Sequence, residues 1–139
     1  MDMLDSTTSR TLESLMRFSS ARQALLAHNL ANLSTPGFRP VDVPVEEFQR
    51  SLRDAIDAVR EGRSATLAPQ DTQGVRFEGG EVVLEPRPRG ENLLFHDRTD
   101  ADSDRLLADL AENTLAFRAA AELYRYRVGQ ILSAIRERP

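Results

Sequence analysis

Residues 102–138 contain no proline and a single glycine, Gly129, and their apolar side chains return every three or four positions: Leu107, Leu110, Thr114, Phe117, Ala121, Tyr124, Val128, Ile131 and Ile135. This spacing keeps one stripe on one side of an α-helix over several heptads, the pattern of a coiled-coil seam. Thirty-five helical residues would run roughly 50 Å, against a mean globular helix of about 11–12 residues. A helix of that length needs a partner along it. Residues 9–33 supply one: they lack Pro and Gly, and Leu12, Leu15, Met16, Ala21, Leu25, Leu26, Leu30 and Leu33 fall on two adjoining stripes. Ser6 to Ser9 offer four hydroxyls as N-cap candidates, and Pro36 biases Thr35 out of helical geometry, which ends the helix near residues 32–34. Thr35-Pro36-Gly37-Phe38 then reads as a type II turn, with Pro at the first central position and Gly at the second.

The middle of the chain is different. A shorter helix is expected over residues 45–60, where Phe48, Leu52, Ile56 and Val59 share a face and Gly62 ends the run. Helical period then disappears. Residues 74–77 and 81–84 flank Gly79-Gly80 and suggest a small hairpin, while Pro86 and Pro88 suggest an extended, loop-like exit. The expected fold is therefore mainly all-α: long N- and C-terminal helices paired as a coiled-coil-like hairpin, a short middle helix, and an irregular central segment that includes the hairpin. Three parts follow: residues 1–40 as a core helix and turn, 41–100 as an outer arm, and 101–139 as a second core helix.

Charge follows the same division. The middle, residues 41–104, carries −7 of formal charge, residues 1–40 carry +1 and residues 105–139 carry +2, giving the net −4. Neither end is basic enough to neutralise a nucleic-acid backbone. Tyr124, Arg125, Tyr126 and Arg127 alternate ring and charge, but on a helix they point to different faces and form no stacking strip. Arg125 and Arg127 are candidates for ion pairs with adjacent subunits. All 18 basic residues are Arg.

Catalytic and metal chemistry find little support. The chain has no Cys, which removes disulfides, thiolate metal sites and cysteine nucleophiles. His28 and His96 are the two histidines, 68 positions apart, and no phosphate loop or nucleophile elbow accompanies them. Asp100, Asp102 and Asp104 alternate like the start of a calcium loop, but Arg105 stands where Gly is required and Ala111 where a Glu is required. Their expected role is to cap the last helix through Asp102 or Asp104. The opening residues lack the basic start and apolar stretch of a secretory leader, and no uncharged apolar run approaches the roughly 18 residues of a membrane span. The chain is expected to be no enzyme, to use no metal or cofactor, and to bind neither nucleic acid nor the membrane interior.

The apolar surplus points to assembly. A helix pair buries one stripe from each partner, yet the first helix shows two, and the last adds Leu106, Leu115, Leu123 and Leu132 away from its seam. Those side chains are expected to pack on neighbouring subunits, with the ends weakly ordered in a lone monomer. The expected assembly interface comprises Leu12, Leu15, Met16, Leu26, Leu30, Leu107, Leu110, Phe117, Tyr124, Val128, Ile131 and Ile135. A generic coiled-coil adaptor that binds one helical partner in solution is the alternative outside this class.

Residues 22–40, Arg22-Gln23-Ala24-Leu25-Leu26-Ala27-His28-Asn29-Leu30-Ala31-Asn32-Leu33-Ser34-Thr35-Pro36-Gly37-Phe38-Arg39-Pro40, resemble the N-terminal motif of the bacterial flagellar basal-body rod and hook family. There a helix ends in an Asn-x-x-Asn pair followed by Thr-Pro-Gly and an aromatic. The opening Met3-Leu4-Asp5-Ser6, the total length, and the ending through Leu110-Ala111-Glu112-Asn113 and Ile131 to Glu137 are similar to the proximal-rod branch. The middle departs from it: Arg89-Gly90-Glu91-Asn92-Leu93 stands where the family carries an Asn-rich Gly-Asn-Asn-Val-like segment. The sister FlgC-like branch is the alternative within the family, although its C-terminal Tyr-Glu-Ala-Asn pattern is missing here. The resemblance implies a subunit exported without cleavage through the flagellar type III apparatus. It would polymerise with copies of itself and with FlgC-like and FliE-like rod proteins, against the inner-membrane ring and export gate, into the periplasmic drive shaft. It also gives the turn at Asn29, Asn32, Thr35, Pro36, Gly37 and Phe38 a role beyond capping: setting how the outer arm leaves the core, with Phe38 packed on a neighbouring element.

Overall fold

A computed structural model of the chain describes residues 3–89 and 98–136, with side-chain surroundings for 6–89 and 103–136. The side chains of Met3, Leu4, Asp5, Asp100 and Asp102, and the whole of Gly90, Glu91, Asn92, Leu93, His96, Asp97 and Glu137, lie outside the described residues. Among those described the fold is mostly helical, in the order α1 (Met3–Asn32), β1 (Val41–Asp42), α2 (Val45–Arg60), β2 (Val75–Glu78), β3 (Glu81–Leu84), β4 (Arg87–Pro88) and α3 (Arg98–Arg136). The two terminal helices pack against each other, and the arm between them lies on α1.

Both long helices begin earlier than their sequences suggest. Ser6, Thr7, Thr8 and Ser9 lie inside α1 and are not caps. Thr7 is buried, and its carbonyl accepts a 2.8 Å hydrogen bond from Thr11 Oγ1, so the hydroxyls of this stretch are accommodated within a helix that has a neighbour along its length. Likewise α3 starts at Arg98, which places Asp102 and Asp104 beyond the first turn and removes their capping role.

The middle helix spans the expected residues 45–60 with Glu46 and Glu47 in its first turn and Arg60 in its last, and Phe48, Leu52 and Val59 are buried on its inner face. Arg63 N–H closes its end by donating to Ala58 O at 2.8 Å, with Gly62 N–H on Val59 O at 3.1 Å, the paired bonds of a Schellman stop. The hairpin forms with its first strand one residue later than expected, Val75–Glu78, placing Val75 opposite Leu84 and Glu78 opposite Glu81. Its two-residue loop is Gly79-Gly80, with φ of 59° and 89°, the two positive angles that a type I′ turn requires.

The outer arm is more ordered than expected. Pro86 and Pro88 do not lead into a free loop: Arg87 and Pro88 pair antiparallel with Asp42 and Val41, and Arg89 N–H donates to Pro40 O at 3.0 Å. One core cluster of Phe18, Val43, Phe48, Leu52 and Val75 joins α1, α2 and the hairpin, with Leu15, Leu25, Ile56, Phe77, Val82 and Leu84 packed around it. Phe18 and Phe48 stack with centroids 3.9 Å apart, and Phe77 continues the stack on Phe48 at 6.1 Å. The second stripe of α1 is therefore covered by the chain's own arm. The expectation that it needs another subunit is corrected: Leu15, Phe18 and Leu25 belong to the cluster formed with α2 and the hairpin, which supply the third layer that a bare helix pair lacks.

The seam on α3 is also corrected. Leu106, Asn113 and Ala120 are its buried residues, seven positions apart, whereas Leu107, Phe117, Val128 and Ile135 are exposed. Leu110, Thr114, Ala121, Tyr124 and Ile131 are half-buried. The inner face thus lies one residue earlier than the most apolar stripe, and Leu106 belongs to it.

Candidate assembly interface

Three sets of polar contacts fix how the helices and the arm meet. The first is the turn after α1. Asn29 is fully buried, and its side-chain amide pairs with one backbone residue in both directions: Nδ2 donates to Val41 O at 2.6 Å and Val41 N–H donates to Oδ1 at 3.1 Å. A side chain here does the work of a neighbouring strand. Asn32 Nδ2 donates back to His28 O at 2.9 Å, Thr35 N–H to Asn32 O at 2.9 Å, and Phe38 N–H to Thr35 O at 3.1 Å, closing the turn. Gly37 has φ +78°, as the second central position of a type II turn needs. Phe38 sets its ring edge-on to His28 at 5.9 Å, so its packing partner is α1 of its own chain. The motif residues Asn29, Asn32, Thr35, Pro36, Gly37 and Phe38 thus form one capped turn, and Asn29 ties it to β1.

The second set is ionic. Arg22 reaches from α1 to Asp42 with two parallel bonds, Nε to Oδ1 at 3.0 Å and Nη2 to Oδ2 at 2.8 Å. Both side chains are about nine-tenths buried, at 8% and 10% exposure. Val43 N–H adds a 2.8 Å bond to Asp42 Oδ1, and Arg89 bridges Asp42, at 3.0 Å, to Asp109 on α3. Burial by itself would push the Asp42 carboxyl up. The Arg22 bonds, the Val43 N–H and the Arg89 charge outweigh it and hold the carboxyl below its ordinary range. Burial likewise opposes the Arg22 charge, and the bonds to Asp42 with the nearby acids win, so Arg22 stays firmly protonated.

The third set lies between α1 and α3. Asn113, 3% exposed, donates from Nδ2 to Ser19 O at 2.8 Å and to Gln23 Oε1 at 2.7 Å. Gln23 Nε2 in turn donates to Thr114 Oγ1 at 3.2 Å. Farther along, Tyr124 OH donates to Glu13 Oε1 at 3.0 Å, and the bond to that carboxylate raises the phenol's pKa. The contacts run antiparallel, residue 13 facing 124 and residues 19–23 facing 113–114.

Of the residues expected at an interface, Leu12 and Leu26 are buried, Leu15 and Met16 are half-buried and Leu30 is exposed on α1. On α3, Leu110, Tyr124 and Ile131 lie partly against α1, and the others face outward. Nine large apolar side chains are exposed among the described residues, eight of them on α3: Leu107, Leu115, Phe117, Leu123, Tyr126, Val128, Leu132 and Ile135. By 100° per residue they surround much of the helix away from α1. Exposed charged side chains, among them Arg105, Glu112, Arg118, Glu122 and Arg125, are interleaved with them. Arg125 pairs with Glu122 one turn before it in the same helix, at 3.4 Å.

Sequence reading missed Phe18, Asp42, Asn113 and the pairing of Arg22 with Asp42. A signal existed for Asn113: Leu106, Asn113 and Ala120 repeat every seven residues, and a polar residue in that repeat marks a specific contact. None existed for Arg22 and Asp42, which meet only through the fold. Among the described residues no three His, Asp or Glu side chains converge as metal ligands, and no helix is long and apolar enough to cross a membrane. A scan against protein-family models and a search of curated proteins gave no match to the chain.

Proposed function

We propose that the chain is a structural subunit of the bacterial flagellar basal-body rod, of the proximal-rod FlgB type, and not an enzyme. Its α1 and α3 act as a coiled-coil-like hairpin that enters a multi-helix core, and the arm over residues 41–89 faces outward. Copies of itself and other rod proteins cover α3, next to the inner-membrane ring and export gate, and the subunit reaches the periplasm through the flagellar type III apparatus. The observation that carries this reading is the exposed apolar surface of α3 on a chain whose residues 22–40 resemble the rod and hook motif. Partner helices would remove that surface from water at about 25 cal/mol per Å² of apolar area. Deleting the gene while rod partners are still made should abolish flagella, and the tagged protein should copurify with basal bodies and appear in their rod by electron microscopy. Intact motility after deletion, or a small closed complex of fixed stoichiometry outside basal bodies, would refute it.

A further inference from the structure

The face that α3 presents to α1 is not its most apolar one. It carries Asn113 and the small Ala120, while Leu107 and Phe117 on the neighbouring flank stay exposed at 49% and 38%. Apolar burial alone would rotate α3 to bring that flank inward. What opposes the rotation is the buried amide of Asn113, satisfied by Ser19 O and Gln23 Oε1 in this register. A slip of one heptad would set Asn113 against Leu12 and Met16 or against Leu26 and Leu30: a backbone carbonyl replaces that of Ser19 in either register, but Met16 or Leu30 stands where Gln23 Oε1 accepts, so the buried amide loses one of its two bonds. The layer is also imperfectly satisfied: Ser19 Oγ, in a residue 1% exposed, has no hydrogen-bond partner among the described residues. That is a poor arrangement for stability and a good one for choice between arrangements.

We infer that the Ser19–Gln23–Asn113–Thr114 layer is a face and register selector, which fixes α3 on α1 by its polar side and thereby holds the apolar flank out for partner helices. The geometry stands without the rod reading; only the purpose of the exposed flank rests on it.

The absence of Cys makes single introduced thiols unambiguous reporters. In the full chain, kept monomeric by dilution and checked by ultracentrifugation, Ala120→Cys should react with a maleimide at least about tenfold more slowly than Leu107→Cys. In a Gln23→Ala, Asn113→Ala background with helix content retained, the two rates should converge to within about threefold, because the polar bonds are gone, no new apolar bulk is added to that face, and α3 is free to turn. An unchanged rate ratio in that background overturns the proposal. Loss of helix content there overturns it too, since the layer would then be holding the fold together and not choosing among folds. Equal protection of both thiols in the monomeric parent would refute the face assignment itself. The rod reading is tested separately in basal bodies, so either can fail alone.

Discussion

Asp42 accepts from Nε and Nη2 of Arg22, from the N–H of Val43 and from one nitrogen of Arg89, and through Arg89 it is joined to Asp109. Four chain segments therefore meet at one carboxylate. Removing one member of a buried ion pair leaves the other desolvated and uncompensated, which is why a pair worth little in net stability is costly to break. Asp42→Asn keeps the shape and one acceptor but loses the charge, and should lower stability by about 1–3 kcal/mol at neutral pH. The pH dependence has a definite sign. The folded carboxyl titrates below its unfolded value of about 3.9, so its stabilisation is complete above that value and is lost as pH falls through the folded pKa. Urea midpoints at pH 7, 5, 4 and 3 should show the parent losing its advantage over Asp42→Asn in the acid range. A constant difference at all four values would remove Asp42 as the titrating group.

At the scale of elements, the sequence revealed what local chemistry decides and concealed what meets only in three dimensions. The bounds of α2, the Gly79-Gly80 turn and the stop after Asn32 were legible because periodicity, positive φ and proline act within a few residues. The two stripes of α1 were legible as stripes, but their partners were not. Phe18 stacks on Phe48, 30 positions away, and Asn113 meets Ser19 across 94. The α3 seam was displaced by one residue because apolar content was used to locate it, whereas a polar layer sets it. The hairpin, marginal alone, persists because Val75 enters the core and its outer edge is already closed. Phe77 N–H donates to Asp71 Oδ1 at 2.9 Å, and Val75 O accepts from Thr72 N–H at 2.9 Å, so little of that edge is open to a further strand. Gly74, just before β2, seats this element against α2: a Cβ there would come within 2.6 Å of Pro44 Cδ, at the N-cap of that helix. Gly74→Ala should therefore cost about 1–3 kcal/mol, read as a lower thermal midpoint by circular dichroism. An unchanged midpoint would mean that the Pro44 ring shifts freely.

For the whole molecule the decisive contrast is between an arm that completes its own core and a helix that does not. Residues of the arm bury Phe48, Val75 and Val43 almost completely, while α3 keeps eight large apolar side chains exposed along its length. If that exposure served the monomer, polar replacements would disturb the fold; if it serves assembly, they should leave the fold alone and abolish association. Leu107, Leu123 and Leu132 are 49%, 58% and 50% exposed, so they contribute little buried area to the single chain. Replacing all three by Gln keeps good helix formers and should change monomer stability by less than about 1 kcal/mol. On the proposed rod function, the same triple variant should lose self-association in sedimentation experiments and fail to restore motility to a deletion strain, although it is made at parental levels. A triple variant that assembles normally would show that α3 is covered through other residues. One that unfolds by more than about 2 kcal/mol would show that these leucines already have partners within the chain.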